Sequence, residues 1–248
     1  MIPKKIHYCW LSSDPYPEKI QECMNSWKQI LSDYEFIKWD TTRFDINSVP
    51  YVKGAYEAKK YAFCADYIRI YALYTEGGIY LDSDVMVYKP FDVFLSHRSF
   101  SSVEYHSYFT YAYIKNKKEK LVGIEAAVLG AEPGCEWLKK VLEYYDGKNF
   151  SLVDENIMPR VIARTLYQNY GFQYLPIYQR LNNDFYIYPA EVFSSKVDGS
   201  LPIKYSTHLG ANSWGMGTSK WKSCTKYILQ ALGLLKTIRN LRGISEHE

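Results

Sequence analysis

The stretch YAFCADYIRIYALYTEGGIYLDSDVMVYKP, Tyr61–Pro90, decides the fold prediction for the whole chain. It opens with a helical pattern in which Asp66 and Arg69 share one stripe with apolar neighbours, because residues three or four apart lie on one helix face. Charged groups inside an apolar helix are costly unless they are paired or bound to a metal. Gly77 and Gly78 predict the helix end, since glycine readily adopts the left-handed conformation common at helix C-termini.

A strand pattern follows the glycines and carries two aspartates. Ile79–Leu81 and Val85–Val87 are β-prone, and Asp82, Ser83 and Asp84 lie between them. In an extended chain alternate residues face the same side, so we expect Asp82 and Asp84 to point together and Ser83 to point away. Two carboxylates aimed at one point favour a hard divalent cation such as Mn²⁺ or Mg²⁺. A lone Asp-x-Asp more often marks a solvated turn, but the apolar flanks favour a metal site here.

The beginning of the chain predicts a parallel sheet. Lys4–Trp10 and Tyr34–Trp39 read as strands, and Pro17–Ser32 between them carries a helical apolar stripe. There is no glycine-rich phosphate loop, so a nicotinamide site or a P-loop has no support. Ligands of open parallel sheets lie beyond the carboxyl ends of the strands, where His7, Tyr8 and Trp10 are expected, and this position makes Trp10 a candidate for stacking on a nucleotide. The alternative for Trp10 is a place in the core.

Composition bounds the class of protein. The 248 residues suit one large α/β domain, and a hydrophobic content of 47% excludes global disorder. The net charge of +3 gives no support for a nucleic-acid partner. The 25 tyrosines suit sugar or base recognition, and equally suit an aromatic core.

The cysteines and the C-terminal segment indicate in which compartment of the cell the protein is expected. Five widely spaced cysteines with no Cys-x-x-Cys pair favour reduced thiols over disulfides or a zinc cluster. No apolar signal core or membrane span is present in the sequence, so we expect a cytoplasmic protein. Trp221–Arg242 predicts a basic amphipathic helix, which either docks on the domain or contacts the inner face of the membrane. We expect one domain over residues 1–220 and this helix within residues 221–248.

The middle of the chain alternates between helix and strand patterns. Gly171 predicts a helix end, and Asp154 is a candidate N-cap for the preceding helix. The further expected elements are a strand or flap over Ser99–Tyr113, an apolar segment at Val122–Leu129, helices at Glu132–Tyr145 and Asp154–Tyr170, strands at Gln173–Tyr178 and Phe185–Tyr188, and a glycine-rich loop at His208–Gly217.

Four motifs in this order resemble the DXD-containing glycosyltransferases of family 32. They are I-P-K-x-I-H-x-x-W at Ile2–Trp10, A-D-x-x-R at Ala65–Arg69, G-G-I-Y-L-D-x-D at Gly77–Asp84, and a histidine followed by Ser-Trp at His208–Trp214. That family includes bacterial capsular-polysaccharide transferases and fungal α-mannosyltransferases, and clostridial glucosylating toxins carry a related core. The resemblance implies an α/β fold of the GT-A (Rossmann-like) nucleotide-diphospho-sugar transferase type, with a mixed central sheet flanked by helices.

The resemblance also implies a role for each matching residue. The implied metal ligands, for Mn²⁺ or Mg²⁺, are Asp82, Asp84 and His208. The implied catalytic residues are Asp66, Arg69, Asp82 and Asp84. The implied donor-binding residues are Tyr8 and Trp10 at the base, Tyr80, Asp82 and Ser83 near the ribose, Asp66 and Arg69 at the sugar hydroxyls, and Asn212, Ser213 and Trp214 over the diphosphate. Two departures stand out: Ala65 replaces a serine common in toxin-like relatives, and the usual GPG segment is absent, with Glu155 and Asn156 not firmly aligned to it.

The activity that the resemblance implies is metal-dependent sugar transfer with retention of anomeric configuration. The donor would be a nucleotide-sugar, UDP-hexose favoured over GDP-mannose, and the acceptor a surface polysaccharide or another glycan, including a lipid-linked one. No residue reads as a dedicated nucleophile, which favours front-face attack. Two alternatives stay open: a non-catalytic sugar-binding module on the same fold, and a glycoside hydrolase. The hydrolase is less favoured because its two carboxylates usually come from separate elements.

Overall fold

The computed structural model describes residues 1–104, 122–151, 157–194 and 203–210, which belong to one compact unit. Its helices are α1 (Glu18–Ile30), α2 (Pro50–Glu57), α3 (Tyr61–Glu76), α4 (Glu136–Glu143), α5 (Met158–Tyr170) and α6 (Ala190–Phe193), with 3₁₀ turns at Ile46–Ser48 and Asp92–Phe94. Its strands are β1 (Lys5–Cys9), β2 (Glu35–Trp39), β3 (Gly78–Leu81), β4 (Val85–Val87), β5 (Ser99–Glu104), β6 (Gly123–Ile124), β7 (Val128–Ala131), β8 (Gln179–Arg180), β9 (Phe185–Tyr188) and β10 (Ser206–His208).

The main sheet is mixed, in the order β2-β1-β3-β7-β5-β9-β8, and β6 pairs with β5. Strands β2, β1 and β3 run parallel, whereas β7 is antiparallel to both β3 and β5. Strand β9 is parallel to β5, and β8 is antiparallel to β9. Strands β4 and β10 form a separate antiparallel pair. The predicted parallel opening and the mixed central sheet flanked by helices are therefore confirmed.

Helix α1 anchors the turn region that follows β3. Its apolar stripe buries Ile20, Cys23 and Trp27, as the spacing predicts. The indole Nε1 of Trp27 donates a hydrogen bond to the carbonyl oxygen of Val85 at 2.7 Å. A buried donor of this kind needs a partner, so the contact fixes β4 against α1.

The double glycine ends α3 as predicted. Gly77 has φ +64° and Gly78 has φ +105°, in the region that favours glycine. A Cβ on Gly78 would lie 2.8 Å from the carbonyl oxygen of Lys5. His7 secures the same turn, because its ring Nε2 lies 2.8 Å from the Gly77 oxygen while Nδ1 accepts a hydrogen bond from Trp39 Nε1 at 3.0 Å. The neutral imidazole with its proton on Nε2 satisfies both contacts.

Several predicted boundaries are wrong or fall outside the described residues. The strand predicted at Gln173–Tyr178 is absent there, because Pro176 lacks an N–H and the Gln179 side chain bonds both backbone groups of Gln173. Helix α4 ends at Glu143 rather than Tyr145, while the end of α5 at Gly171, with φ +83°, is confirmed. Asp154, the end of the predicted flap beyond residue 104, and the helix predicted at 221–242 lie outside the described residues.

The described part of the chain contains no helix that is long and apolar enough to span a membrane. Its four cysteines, Cys9, Cys23, Cys64 and Cys135, are free, in agreement with the prediction of reduced thiols for these positions.

Candidate functional site

The two aspartates lie in a turn rather than in an extended strand. Asp82 directly follows β3, Ser83 and Asp84 form the turn, and the Val85 amide donates to the Asp82 carbonyl oxygen at 3.0 Å. The predicted extended geometry is therefore wrong, because the chain leaves the main sheet here to pair with β10. The turn nevertheless brings both carboxylates to one place, and Ser83 lies partly exposed between them.

His208 completes a cluster with these carboxylates. One ligand atom each from Asp82, Asp84 and His208 lie within 4.8 Å of one another. His208 Nε2 is 3.3 Å from Asp84 Oδ1 and 3.9 Å from Asp82 Oδ2. The pairing of β10 with β4 sets His208 opposite Val85, and the Leu209 amide donates to the Asp84 carbonyl oxygen at 3.0 Å. The three residues that the resemblance implies as metal ligands are thus brought together.

The donor set of this cluster suits a divalent cation. Two carboxylates and an imidazole offer oxygen and nitrogen ligands. Mn²⁺ binds both kinds of ligand, whereas Mg²⁺ prefers the oxygens. Burial lowers the pKa of His208, but nearby carboxylates, Glu125 and Asp84 foremost, raise it more, so this pKa lies well above its usual value. The surplus of negative charge around the imidazole is the kind that a bound cation neutralises.

Arg69 holds Asp82 in place from inside the fold. Its Nη2 lies 3.0 Å from Asp66 Oδ1 and 3.3 Å from Asp82 Oδ1. Its Nη1 donates to the Ala126 carbonyl oxygen at 2.6 Å, and its guanidinium lies over the ring of Tyr80 at 4.7 Å. Arg69 is 3% exposed, so its guanidinium contacts protein atoms and very little solvent. A planar guanidinium with fixed donors is well suited to such a clamp.

Asp66 and Tyr80 are buried beside the clamp. One carboxylate oxygen of Asp66, Oδ2, is buried and has no hydrogen-bond partner among the described residues. Burial raises the pKa of Asp66 to about 7, although the charge of Arg69 acts in the opposite direction. The hydroxyl of Tyr80 donates to Asp82 Oδ1 at 3.0 Å, and 1% of Tyr80 is exposed. Tyr80 thus orients a carboxylate of the cluster, and its implied ribose contact stays a prediction.

Tyr8 and Trp10 lie at the carboxyl end of β1, as expected. Both are partly exposed. Tyr8 packs edge-on against Trp27 with ring centroids 5.7 Å apart, and Trp10 lies 4.7 Å from the ring of Tyr16. The indole of Trp10 donates to the Asp14 carbonyl oxygen at 3.0 Å. Trp10 is therefore not a core residue, and its stacking on a base stays a prediction.

The segment Glu125–Ala127, which connects β6 to β7, is the part of the site that sequence reasoning missed. Besides the Ala126 bond to Arg69, the Ala127 carbonyl oxygen accepts from the Asp82 amide at 2.9 Å. The Glu125 carboxylate lies 3.5 Å from His208 Nδ1. The three consecutive residues of this segment thus contact His208, Arg69 and Asp82 in turn. The available signal was a single glutamate within an otherwise apolar run, a weak one by itself.

Three implied donor-binding residues, Asn212, Ser213 and Trp214, lie outside the described residues. So do Glu155 and Asn156, which have no assigned role.

The part of the chain that contains Asp66, Arg69, Asp82 and Asp84 is similar to known proteins. Residues 17–101 match the family described as a glycosyltransferase sugar-binding region containing a DXD motif. Inositol phosphoceramide mannosyltransferase 3 of Schizosaccharomyces pombe is 33% identical over 100 residues, which is 39% of this chain and 28% of that protein's length. The chain thus matches less than a third of this relative.

The chain is also similar to solved structures. PaToxG glycosyltransferase aligns with a TM-score of 0.48 and 18% identity, over 67% of this chain and 69% of its own. A glycosyltransferase involved in the glycosylation of the major capsid of PBCV-1 aligns with a TM-score of 0.42 and 14% identity, over 76% and 82% of the two chains.

The matched region contains the pair that forms the turn, Asp82 and Asp84, and the buried helix pair, Asp66 and Arg69. Both pairs occupy one connected site in the structure. Residues 17–101 are thus similar to the sugar-binding region of the DXD-containing glycosyltransferases, and they contain both pairs.

Proposed function

We propose that the protein is a metal-dependent, retaining glycosyltransferase that moves a hexose from a nucleotide-sugar to a glycan acceptor. The observation that carries the proposal is the convergence of Asp82, Asp84 and His208 on one point. Residues from the β3–β4 turn and from a strand more than 120 positions later meet there. A glycoside hydrolase instead places its two carboxylates on either side of a glycosidic bond, so this arrangement favours a metal site over hydrolysis.

The cluster would hold Mn²⁺ or Mg²⁺, and the other residues would prepare the donor. A bound divalent ion supplies Lewis-acid stabilisation of the diphosphate leaving group, worth several kcal/mol in metal-dependent enzymes. Arg69 and Tyr80 hold Asp82 by an ion pair and a hydrogen bond, so the carboxylate need not reorganise when the substrate binds. The buried Oδ2 of Asp66 has acceptor capacity left for a sugar hydroxyl and, when ionised, places negative charge near developing positive charge on the sugar.

The donor is proposed as UDP-hexose, with GDP-mannose as the named competitor. The resemblance to glucosylating toxins favours UDP-hexose. The partial similarity to a protein named as a mannosyltransferase favours mannose. Tyr8 and Trp10 offer partly exposed aromatic faces at the end of β1, where a base of either nucleotide can stack.

A nucleotide-release assay tests the proposal. UDP-hexoses and GDP-mannose are incubated with the full-length protein and Mn²⁺, and free UDP or GDP is measured with and without EDTA. We expect release from one donor, abolished by EDTA and lowered at least about 100-fold by Asp84→Asn, since a lost ligand removes the charge that holds the ion. His208→Ala should weaken the dependence on Mn²⁺. The matched control is Asp92→Asn, because Asp92 pairs with Lys4 on the surface.

Two results would contradict the proposal. Release that is unaffected by EDTA and by Asp84→Asn removes the metal from the reaction. Tight donor binding in calorimetry, with no release and no transfer to any glycan acceptor, establishes instead the non-catalytic binding module. Anomeric NMR of the product decides retention, and an inverted product would refute that part alone.

The proposed location is cytoplasmic, at the inner face of the membrane, where a lipid-linked or surface-polysaccharide acceptor would be available. The support is the basic and apolar pattern of residues 221–242 in the sequence. Purified protein should co-sediment with anionic vesicles, and raised salt should release it. A protein that stays in the supernatant with vesicles of any composition would refute the membrane contact.

A further inference from the structure

Glu125 is a buried carboxylate at the edge of the metal cluster. It is 3% exposed and sits between β6 and β7. Its backbone is fixed, because the Glu125 amide donates to the Ser102 carbonyl oxygen at 2.8 Å and its carbonyl oxygen accepts from Ser101 Oγ at 2.8 Å. Its side chain is fixed as well, since Oε1 accepts from the Ala127 amide at 2.9 Å. The carboxylate is therefore held in one orientation before any ligand binds.

The two nitrogens of His208 face different groups. Nδ1 lies 3.5 Å from Glu125 Oε1, whereas Nε2 faces Asp84 at 3.3 Å and Asp82 at 3.9 Å. Glu125 is not among the three residues whose ligand atoms lie within 4.8 Å of one another, and it faces Nδ1 whereas the two aspartates face Nε2. A carboxylate on the far nitrogen of a metal-binding imidazole fixes its tautomer and orientation and raises its basicity.

We propose that Glu125 is a positioning residue that accepts the Nδ1 proton of His208 and thereby presents Nε2 to the divalent cation. This inference rests on the metal site of the proposed function and deepens it. Glu125 does not contact the ion. It determines which ring nitrogen carries the proton and which way the ring faces, and so whether His208 can serve as the third protein ligand.

Mn²⁺ binding to the full-length protein tests the role directly, without turnover. Free Mn²⁺ is measured by its EPR signal while the metal alone is titrated into each variant. We expect Glu125→Ala to weaken Mn²⁺ binding about 10–100-fold, the usual cost of losing such a partner. His208→Ala should weaken it at least as much, and adding Glu125→Ala to His208→Ala should cause no further loss. Glu132→Ala is the control, because that carboxylate pairs with the N-terminal amine.

The conservative variant keeps the test decisive if Glu125→Ala fails to fold. Glu125→Gln retains an oxygen that can accept from the Ala127 amide, but a neutral amide is a weaker acceptor than a carboxylate. We expect Mn²⁺ binding by this variant to be several-fold weaker. The absorption spectrum of Co²⁺ bound in place of Mn²⁺ should also change between wild type and Glu125→Gln, since it reports the ligands around the ion.

Four outcomes would overturn the proposal. If a folded Glu125→Ala or Glu125→Gln protein binds Mn²⁺ as tightly as wild type, Glu125 has no positioning role. The same holds if Glu125→Ala weakens Mn²⁺ binding equally in the wild-type protein and in the His208→Ala variant. If Asp84→Asn weakens Mn²⁺ binding while the Glu125 variants do not, the role of Glu125 alone fails. If wild-type protein binds no Mn²⁺, the metal site of the proposed function fails and the role of Glu125 fails with it.

Discussion

Replacement of Arg69 by methionine tests the clamp at the centre of the site. Methionine keeps much of the apolar stem and removes the guanidinium. Asp66, at 3.0 Å, and Asp82, at 3.3 Å, then lose their shared counter-charge. The Ala126 carbonyl oxygen loses its donor at 2.6 Å, and the Tyr80 ring loses the cation above it. One substitution thus disturbs the helix, the β3–β4 turn and the segment before β7 at once.

The expected cost follows from burial. Removing one partner of a buried ion pair costs about 3–5 kcal/mol, because the carboxylate left behind must either stay charged without compensation or take up a proton that the unfolded chain does not bind at neutral pH. Arg69 and Asp66 are 3% and 2% exposed, so little solvent reaches the charge left behind. A loss of this size is a large share of the roughly 5–15 kcal/mol that stabilises a typical domain. Mn²⁺ binding should weaken as well, since Asp82 is no longer held.

Urea unfolding followed by circular dichroism measures the loss, with Arg43→Met as the matched control. Arg43 also pairs with a carboxylate, Glu76 at 2.7 Å, and also lies over an aromatic ring, Trp39 at 4.9 Å. Its side chain is 43% exposed, so its pair should contribute less than about 1 kcal/mol. The two arginines share a carboxylate partner and an aromatic ring, but Arg69 is buried and also contacts Asp82 and the Ala126 carbonyl oxygen. Arg43→Met therefore gives the cost of losing an exposed pair of the same type.

A second substitution decides whether the uncompensated charge causes the loss. Asp66→Asn in the Arg69→Met background removes one of the two carboxylates left unpaired. We expect the double variant to recover at least about 1 kcal/mol relative to the sum of the single losses, as neighbouring charges couple on this scale. Equal losses in Arg69→Met and Arg43→Met would refute the reasoning, and so would a double variant whose losses simply add.

Two further predictions concern the turn that carries the site. Gly78→Ala should destabilise the protein by about 1–3 kcal/mol in urea unfolding, because φ is +105° and the new Cβ would lie 2.8 Å from the Lys5 carbonyl oxygen; an unchanged midpoint would contradict this. Burial lowers the pKa of His7 below its unfolded value near 6.5, so the unfolded chain binds the proton first and stability is lost as pH falls below about 6.5. His7→Phe should reduce the difference in unfolding midpoint between pH 7.5 and 5.5, and an unchanged difference would assign it to other groups.

The local features of the fold could be predicted from the sequence. The strand–helix–strand opening and the glycine stop after α3 depend on periodicity and on backbone conformation, which neighbouring residues determine. The burial of Asp66 and Arg69 followed from their place on an apolar helix, and that prediction is confirmed. The failed strand at Gln173–Tyr178 shows the limit of this approach, since a β-prone composition does not compensate for Pro176.

The geometry of Asp82 and Asp84 could not be predicted from strand periodicity. The side-chain alternation that the sequence suggests holds only while the backbone is extended. Here Val85 leaves the main sheet to pair opposite His208, and that long-range pairing produces the turn. The resemblance to the family implied His208, whereas the residues themselves gave no spacing rule that could connect it to a turn more than 120 positions earlier.

The Asp-x-Asp motif alone does not determine the geometry of the site, because the segment Glu125–Ala127 also contacts the site residues. The family match ends at residue 101, so it includes Asp82 and Asp84 but neither this segment nor His208. Yet carbonyl oxygens of this segment accept hydrogen bonds from the Asp82 amide and from the Arg69 guanidinium. The carboxylate of the same segment lies beside His208. Two chains with the same Asp-x-Asp turn can therefore differ in cation affinity through the residues before β7. In this chain the segment before β7 contacts both Asp82, which follows the parallel strand β3, and His208, which lies on β10 of the separate strand pair.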